Sequence, residues 1–186
     1  MRTQKGFSLI EVLVTIVILA FGLLGVAGLQ ARTSITEMES FQRSQALLLV
    51  NDMAARLEAR AGTSGPNYVA TVGTGDTQPA DCSGEPVGAG KDLCEWSNLL
   101  KGAGEVTTKG SSVGTMIGAR GCITQIQAAN PAAGVCTPGI YEVSVAWQGL
   151  INTAVPANGC GAGQYGNEKV RRIVTMRVGA PTLGCS

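Results

Sequence analysis

The sequence of 186 residues contains no histidine. That excludes Ser-His-Asp and Cys-His catalysis, His-ligated metals and His proton relays. Charge is scarce as well: 15% of residues are charged, against roughly 25% in an average soluble protein. The formal charge is +1 and no basic block occurs. The electrostatic footprint of a nucleic-acid binder is missing, and no nucleic-acid partner is expected. Two further absences are local. No proline and no cysteine occurs before Pro66, and of the 26 glycines only Gly6, Gly22, Gly25 and Gly28 precede Gly62. Residues 1–61 are therefore almost free of helix breakers, whereas residues 62–186 are rich in loop formers and carry all six cysteines. A long N-terminal helix followed by one small domain accounts for this break. The stretch from Gly62 to Gly90 is rich in Gly, Thr, Ala and Pro, and reads as irregular loop.

What is present at the N-terminus is a basic tip, Arg2 and Lys5, then Gly6, and then an apolar run. From Val12 to Leu29 only Thr15 is polar, a length close to the ~20 residues a helix needs to cross a bilayer. Positive charge favours the cytoplasmic side, which places the basic tip there. Everything after Leu29 then lies across the membrane, where cysteines oxidise. Three readings compete. A cleaved secretory signal has an apolar region of about 7–15 residues followed by a small-residue site; this run is longer, and Leu29-Gln30-Ala31 is a poor site. A plain anchor has no use for Glu11, whose carboxylate costs a few kcal/mol in lipid. The third reading keeps the apolar helix, removes the basic tip and gives Glu11 a task.

The stretch Lys5-Gly6-Phe7-Ser8-Leu9-Ile10-Glu11 closely resembles the prepilin signal of type IV pilins and type II secretion pseudopilins. The resemblance implies that prepilin peptidase, a membrane enzyme, cuts between Gly6 and Phe7 and methylates the new amine of Phe7. Residues 1–6 are then a cleaved leader, 7–30 a transmembrane and assembly helix, 31–61 its amphipathic continuation, and 62–186 a periplasmic or extracellular globular domain. Within this group the chain is most similar to the PilV-type minor pilins. Glu11-Val12-Leu13-Val14, Gly22-Leu23-Leu24-Gly25 and Ala27-Gly28-Leu29-Gln30 carry that likeness, with Tyr141-Glu142-Val143-Ser144-Val145-Ala146-Trp147 further on. It implies a non-enzymatic subunit, first single-pass in the inner membrane and then in the pilus at the cell surface. Its role would lie in fimbrium biogenesis and cell adhesion, and its partners would be other minor pilins, the major pilin and the peptidase. A type II secretion pseudopilin is the alternative.

The spacing has its own physical logic. After the cut Phe7 is a cation at a helix start, and Glu11 is four residues on. A carboxylate in the first helical turn is favoured by the macrodipole. In the family the equivalent glutamate attracts the N-terminal amine of a neighbouring subunit; the plainer reading is a helix-start acid. Gly22, Gly25 and Gly28 recur every three residues. They weaken the helix by roughly 1 kcal/mol each relative to alanine, allow close helix packing, or are simply tolerated as in other membrane helices.

Ile35, Met38, Ala46, Leu49, Met53 and Leu57 form an apolar stripe at helical spacing, expected to pack on the domain, with Gly62 as helix stop. The downstream pattern has period two. Tyr141, Val143, Val145 and Trp147 alternate with Glu142, Ser144, Ala146 and Gln148; Val170, Arg172, Val174, Met176 and Val178 alternate with Arg171, Ile173, Thr175 and Arg177. Cys122–Gln127 is a shorter strand, and Cys94–Leu100 a short helix or an edge strand. The fold class is α+β, a long helix on a three- or four-stranded antiparallel sheet with one face on the core and one toward water. That is the type IV pilin architecture, with disulfide-stapled loops.

Six cysteines without a CxxC or a histidine point to disulfides rather than zinc, so no metal and no cofactor is expected. Sequential pairing, Cys82–Cys94, Cys122–Cys136 and Cys160–Cys185, closes one local loop each. Asp76, Asp81, Glu85, Asp92 and Glu95 crowd one region, and Lys169, Arg171, Arg172 and Arg177 another. These read either as complementary subunit contacts or as solvated faces. Mass spectrometry of the N-terminal peptide is expected to find Phe7 carrying one methyl; a chain beginning at Arg32 would favour the secretory signal instead.

Overall fold

The computed structural model describes residues 6–104, 108, 116–132 and 134–180. The chain forms two compact units, Met1–Ser40 and Phe41–Ser186. Helix α1, Leu9–Ser64, contributes to both. In the first unit it is exposed at nearly every position from Leu9 to Ser40. The helix outlasts the expected stop at Gly62 and ends at Ser64. Gly65 precedes Pro66, and the residue before proline is driven out of the α region; a 3-10 turn, Gly65–Tyr68, follows.

In the second unit the elements after α1 are β1 (Ala70–Gly73), α2 (Ala89–Leu100), β2 (Ile117–Gln127), β3 (Gly139–Gln148) and β4 (Arg171–Ala180). The strands form one antiparallel sheet in the order β1-β2-β3-β4. β1 lies in the stretch expected to be irregular, and Cys94–Leu100 is helix, not edge strand. The core is made by the apolar stripe of α1 on the inner sheet face. Ala46, Val50, Met53, Ala54 and Leu57 meet Tyr141, Val143, Val145, Val174 and Val178 in one buried cluster. Of the expected stripe, Ile35 and Met38 are exposed and belong to the first unit. The stripe turns inward only where there is a sheet to cover it.

α2 closes one flank. Trp96 is fully buried, and its indole N–H donates to the Leu49 carbonyl of α1 at 2.9 Å. Gly121 of β2 makes room: a Cβ there would collide with the Trp96 ring and Leu100. The outer sheet face is covered in part, where a wetted face is expected, while Thr175 and Arg177 stay exposed on it. Ser144 and Ala146 are buried because the segment between β3 and β4 folds over them.

A disulfide holds that segment. Cys122 of β2 joins Cys160, so the expected pairs Cys122–Cys136 and Cys160–Cys185 do not form. Cys122 points to the outer face, where the long loop after β3 passes, whereas Cys136 sits in the turn beyond the β2–β3 ladder. Arg171 reinforces the seam. Its buried guanidinium donates to the carbonyls of Asn158 (2.6 Å), Pro156 (3.1 Å) and Cys160 (3.2 Å) and to the Glu168 carboxylate (2.6 Å). A second disulfide joins Cys82 to Cys94 across 12 residues, tying the loop before α2 to that helix. Cys136 is also disulfide-bonded, and Cys185 lies outside the described residues. Non-reducing peptide mapping is expected to find Cys82–Cys94, Cys122–Cys160, a third cross-link from Cys136 and no free thiol. Recovery of a Cys122–Cys136 peptide would contradict this fold.

Candidate N-terminal processing and assembly site

Three residues before α1 set the site. Gly6, Phe7 and Ser8 have no regular structure and are exposed, and Phe7 has 83% of its surface free. Nothing lies within 4 Å of the position a Cβ would take at Gly6, so the peptide bond after it is open to an enzyme. The helix begins at Leu9, and the Ser8 carbonyl accepts from the amides of Glu11 (3.1 Å) and Val12 (3.3 Å). Ser8 is thus the residue at the helix cap, with Glu11 three residues on. This Ser-x-x-Glu spacing is that of a capping box. The sequence reading passed over Ser8; the spacing to Glu11 was the available signal. Glu11 lies in the first turn, where the free amides favour a negative charge.

Between Val12 and Leu29 the one polar side chain, Thr15, is satisfied within the helix. The Thr15 hydroxyl donates to the Val12 carbonyl at 2.8 Å. In a bilayer each polar group must be satisfied internally, and this one is. The best window of the helix has a mean hydropathy of 2.7 with none of it buried, so the segment is long and apolar enough to cross a membrane. Gly22, Gly25 and Gly28 have nothing within 4 Å.

Part of each charged region is engaged within the domain. Asp92 is buried, accepts from the Tyr68 hydroxyl at 2.5 Å, and pairs with Arg56 (3.4 Å) and Arg60 (3.3 Å). Arg56 also reaches Glu95 at 2.6 Å and Asp52 at 3.0 Å. Burial, then the bond to Asp92, pushes the Tyr68 phenol above its ordinary value. Asp76 pairs with Lys101 and accepts from Ser97 and the Gly73 amide, both at 2.7 Å. On the basic side Arg171 is engaged as described, and Arg172 bonds Thr153 and the Ile151 carbonyl. Asp76, Asp92, Glu95, Arg171 and Arg172 thus tie loops to helices and strands, whereas Asp81, Lys169 and Arg177 are exposed, as a solvated face has them. Among the described residues no three His, Cys, Asp or Glu side chains are grouped to hold a metal ion.

Residues 1–27 match the family model of the prokaryotic N-terminal methylation motif. No curated protein and no solved structure matches the chain significantly. The motif indicates a type IV pilin-like or pseudopilin-like protein, and the helix-on-sheet architecture is of the type IV pilin-like kind. Its apolar N-terminal helix fits membrane anchoring.

Asp76 gives a test of the domain's internal charges. Burial raises its carboxyl, but Lys101, the Gly73 amide, Ser97 and the Gln78 amide outweigh this and hold it below the ordinary carboxylate value. A depressed folded pKa stabilises the fold above the unfolded value of about 3.9, and that stability is lost as pH falls through the folded pKa. Stability measured by denaturant unfolding, followed by Trp fluorescence, should therefore fall on acidification below about pH 4. Asp76→Ala should lower stability by about 2 kcal/mol at neutral pH, with less remaining acid dependence.

Proposed function

We propose that the chain is a minor pilin of a type IV pilus, PilV-like, acting at initiation or at the tip rather than as the bulk subunit. The observation that carries this is the methylation motif leading directly into an exposed, membrane-length helix with Glu11 in its first turn. Prepilin peptidase removes residues 1–6 and methylates Phe7. Residues 7–30 hold the chain in the inner membrane and later pack among the helices of other minor pilins and the major pilin. Glu11 then meets the N-terminal amine of a neighbour, where the low dielectric strengthens the pair and punishes its loss. The protein is a substrate of an enzyme and not an enzyme. The low-copy role is supported by the domain. A subunit repeated along a filament needs matching surfaces above and below, whereas here long irregular segments are held by cross-links at Cys82–Cys94 and Cys122–Cys160.

Glu11→Val is expected to leave Phe7 cleaved and methylated and the domain folded. Its recovery in sheared filaments, or in pull-downs with other minor pilins, should fall at least about tenfold. That change corresponds to roughly 1.4 kcal/mol, less than an unpaired charge costs in lipid. Normal assembly of this variant would remove the pairing role. Gene deletion should lower surface piliation; a loss of protein secretion with intact pili would assign the chain to a type II secretion pseudopilus. If the chain made up the bulk of purified pili, the minor role would fall.

A further inference from the structure

Asn158 precedes Gly159 in the segment between β3 and β4, and its polar atoms are held from several sides. The Cys160 amide donates to Asn158 Oδ1 at 2.8 Å. Asn158 Nδ2 donates to the Glu142 carboxylate at 2.7 Å and to the Ser144 hydroxyl oxygen at 3.2 Å. The buried Arg171 guanidinium donates to the main-chain carbonyl of Asn158 at 2.6 Å. A side chain that accepts from the amide two residues on is folded back along its own peptide bond, the Asx-turn arrangement. That peptide bond leads to Gly159, which is exposed and has nothing within 4 Å of the position a Cβ would take.

An asparagine folded back in this way faces one nucleophile of its own chain, the nitrogen of the next residue. Attack of that nitrogen on Cγ forms a cyclic imide, and each contact assists one part of the step. Arg171, bonded to the Asn158 carbonyl, draws charge out of the Asn158–Gly159 peptide group and favours loss of its proton. The Cys160 amide points at Oδ1, where negative charge develops during attack. Glu142 lies at the nitrogen that has to leave, and a carboxylate at hydrogen-bond distance can carry a proton to it. The absence of a side chain at Gly159 keeps the approach open and admits water.

We infer that Asn158–Gly159 is a self-modification site, at which the fold promotes conversion of Asn158 to aspartate and isoaspartate. The Gly159 nitrogen gives up its proton and bonds to Cγ, and the Cγ–Nδ2 bond breaks. The proton passes through water to the Glu142 carboxylate and on to the departing nitrogen, which leaves as ammonia. Water then opens the imide. Opening at Cγ gives aspartate; opening at the main-chain carbonyl gives isoaspartate, with the chain routed through Cγ. No oxidant or cofactor is consumed. The product has no N–H to offer Glu142 or Ser144 and sets a second carboxylate beside Glu142. The cover over Ser144 and Ala146 is thereby loosened, while Cys122–Cys160 keeps the segment attached to the sheet. The inference concerns the folded second unit and does not rest on the filament role.

The test incubates the full chain in detergent micelles at neutral pH, in water enriched in heavy oxygen, with digestion at acid pH and mass spectrometry of the peptide that spans Asn158. One heavy oxygen per converted chain is expected, in a mixture of aspartate and isoaspartate. The rate should exceed that of the same chain, reduced and unfolded at the same pH, at least about threefold. Glu142→Gln keeps the shape of the side chain and removes its proton carrier. It should bring the native rate down toward the unfolded one and leave the unfolded rate unchanged, with Cys122–Cys160 recovered intact as the sign of a folded domain. The comparison of native and unfolded wild-type chain stands even where that variant does not fold. Faster conversion in the unfolded chain would mean that the fold protects Asn158, and the inference would fall. So would an unchanged native rate in folded Glu142→Gln, or a product that carries no heavy oxygen.

Discussion

The burial of one face of α1 on the inner face of the sheet is the interaction on which the second unit depends. Ala46, Val50, Met53 and Leu57 are fully buried, or nearly so, against Tyr141, Val143, Val145 and Val178. Each large apolar side chain so buried contributes about 1.5–3 kcal/mol. β1 has four residues and α2 twelve, and both are placed by what they touch on this first layer. Trp96 finds its hydrogen-bond acceptor on α1 and its cavity over Gly121, so α2 docks where helix and sheet already meet. The Arg56–Asp92–Glu95 pairs then fix its direction. Buried charges contribute little net stability, but leaving one unpaired is costly, so such a cluster selects one arrangement over its neighbours.

The second layer of stabilisation lies on the other side of the sheet. A glycine-rich chain gives up more conformational freedom on folding than an average one. The segment between β3 and β4 has no regular structure apart from the short turn Glu168–Val170, and few apolar residues with which to offset that loss. Cys122–Cys160 constrains the unfolded chain over 38 residues, an effect of about 3–4 kcal/mol on a chain-entropy account. Arg171 does the complementary work in the folded state, satisfying three loop carbonyls that would otherwise be buried without donors. Cross-link and arginine act on the same loop, which is why its residues cover Ser144 and Ala146.

The parts of this fold that the sequence made legible are those set by periodicity. The alternation at Tyr141–Trp147 and Arg172–Val178 identified β3 and β4, and the breaker-free N-terminal stretch identified α1. Short elements were harder. Ala70–Gly73 is too brief for a pattern and is a strand only because Cys122 and Ile123 lie across from Thr71 and Ala70. Disulfide connectivity was not legible either, because proximity along the chain is a poor guide once a loop folds back over a sheet. Charge was misread for a related reason: sequence counts charges by region, whereas Arg56 and Asp92, 36 residues apart, meet through tertiary packing. The N-terminal site was legible almost in full, since its chemistry lies in consecutive residues, Gly6 to Glu11.

One helix serves two solvents, and that explains the form of the stripe. From Leu9 to Leu29 apolar residues surround α1 on every side, as a lipid-facing helix requires. From Ala46 onward the buried apolar residues, Ala46, Val50, Met53, Ala54 and Leu57, lie on one face, as a sheet requires. The intervening turns, with Arg32, Thr33, Thr36 and Glu37, are polar and exposed, and Thr33 and Thr36 return their hydroxyls to carbonyls four residues back. Such back-bonds satisfy the hydroxyls within the helix, at the cost of slight destabilisation and local bending. The change of environment is therefore written as a change in the angular spread of apolar side chains, with no break in the backbone bonds of α1.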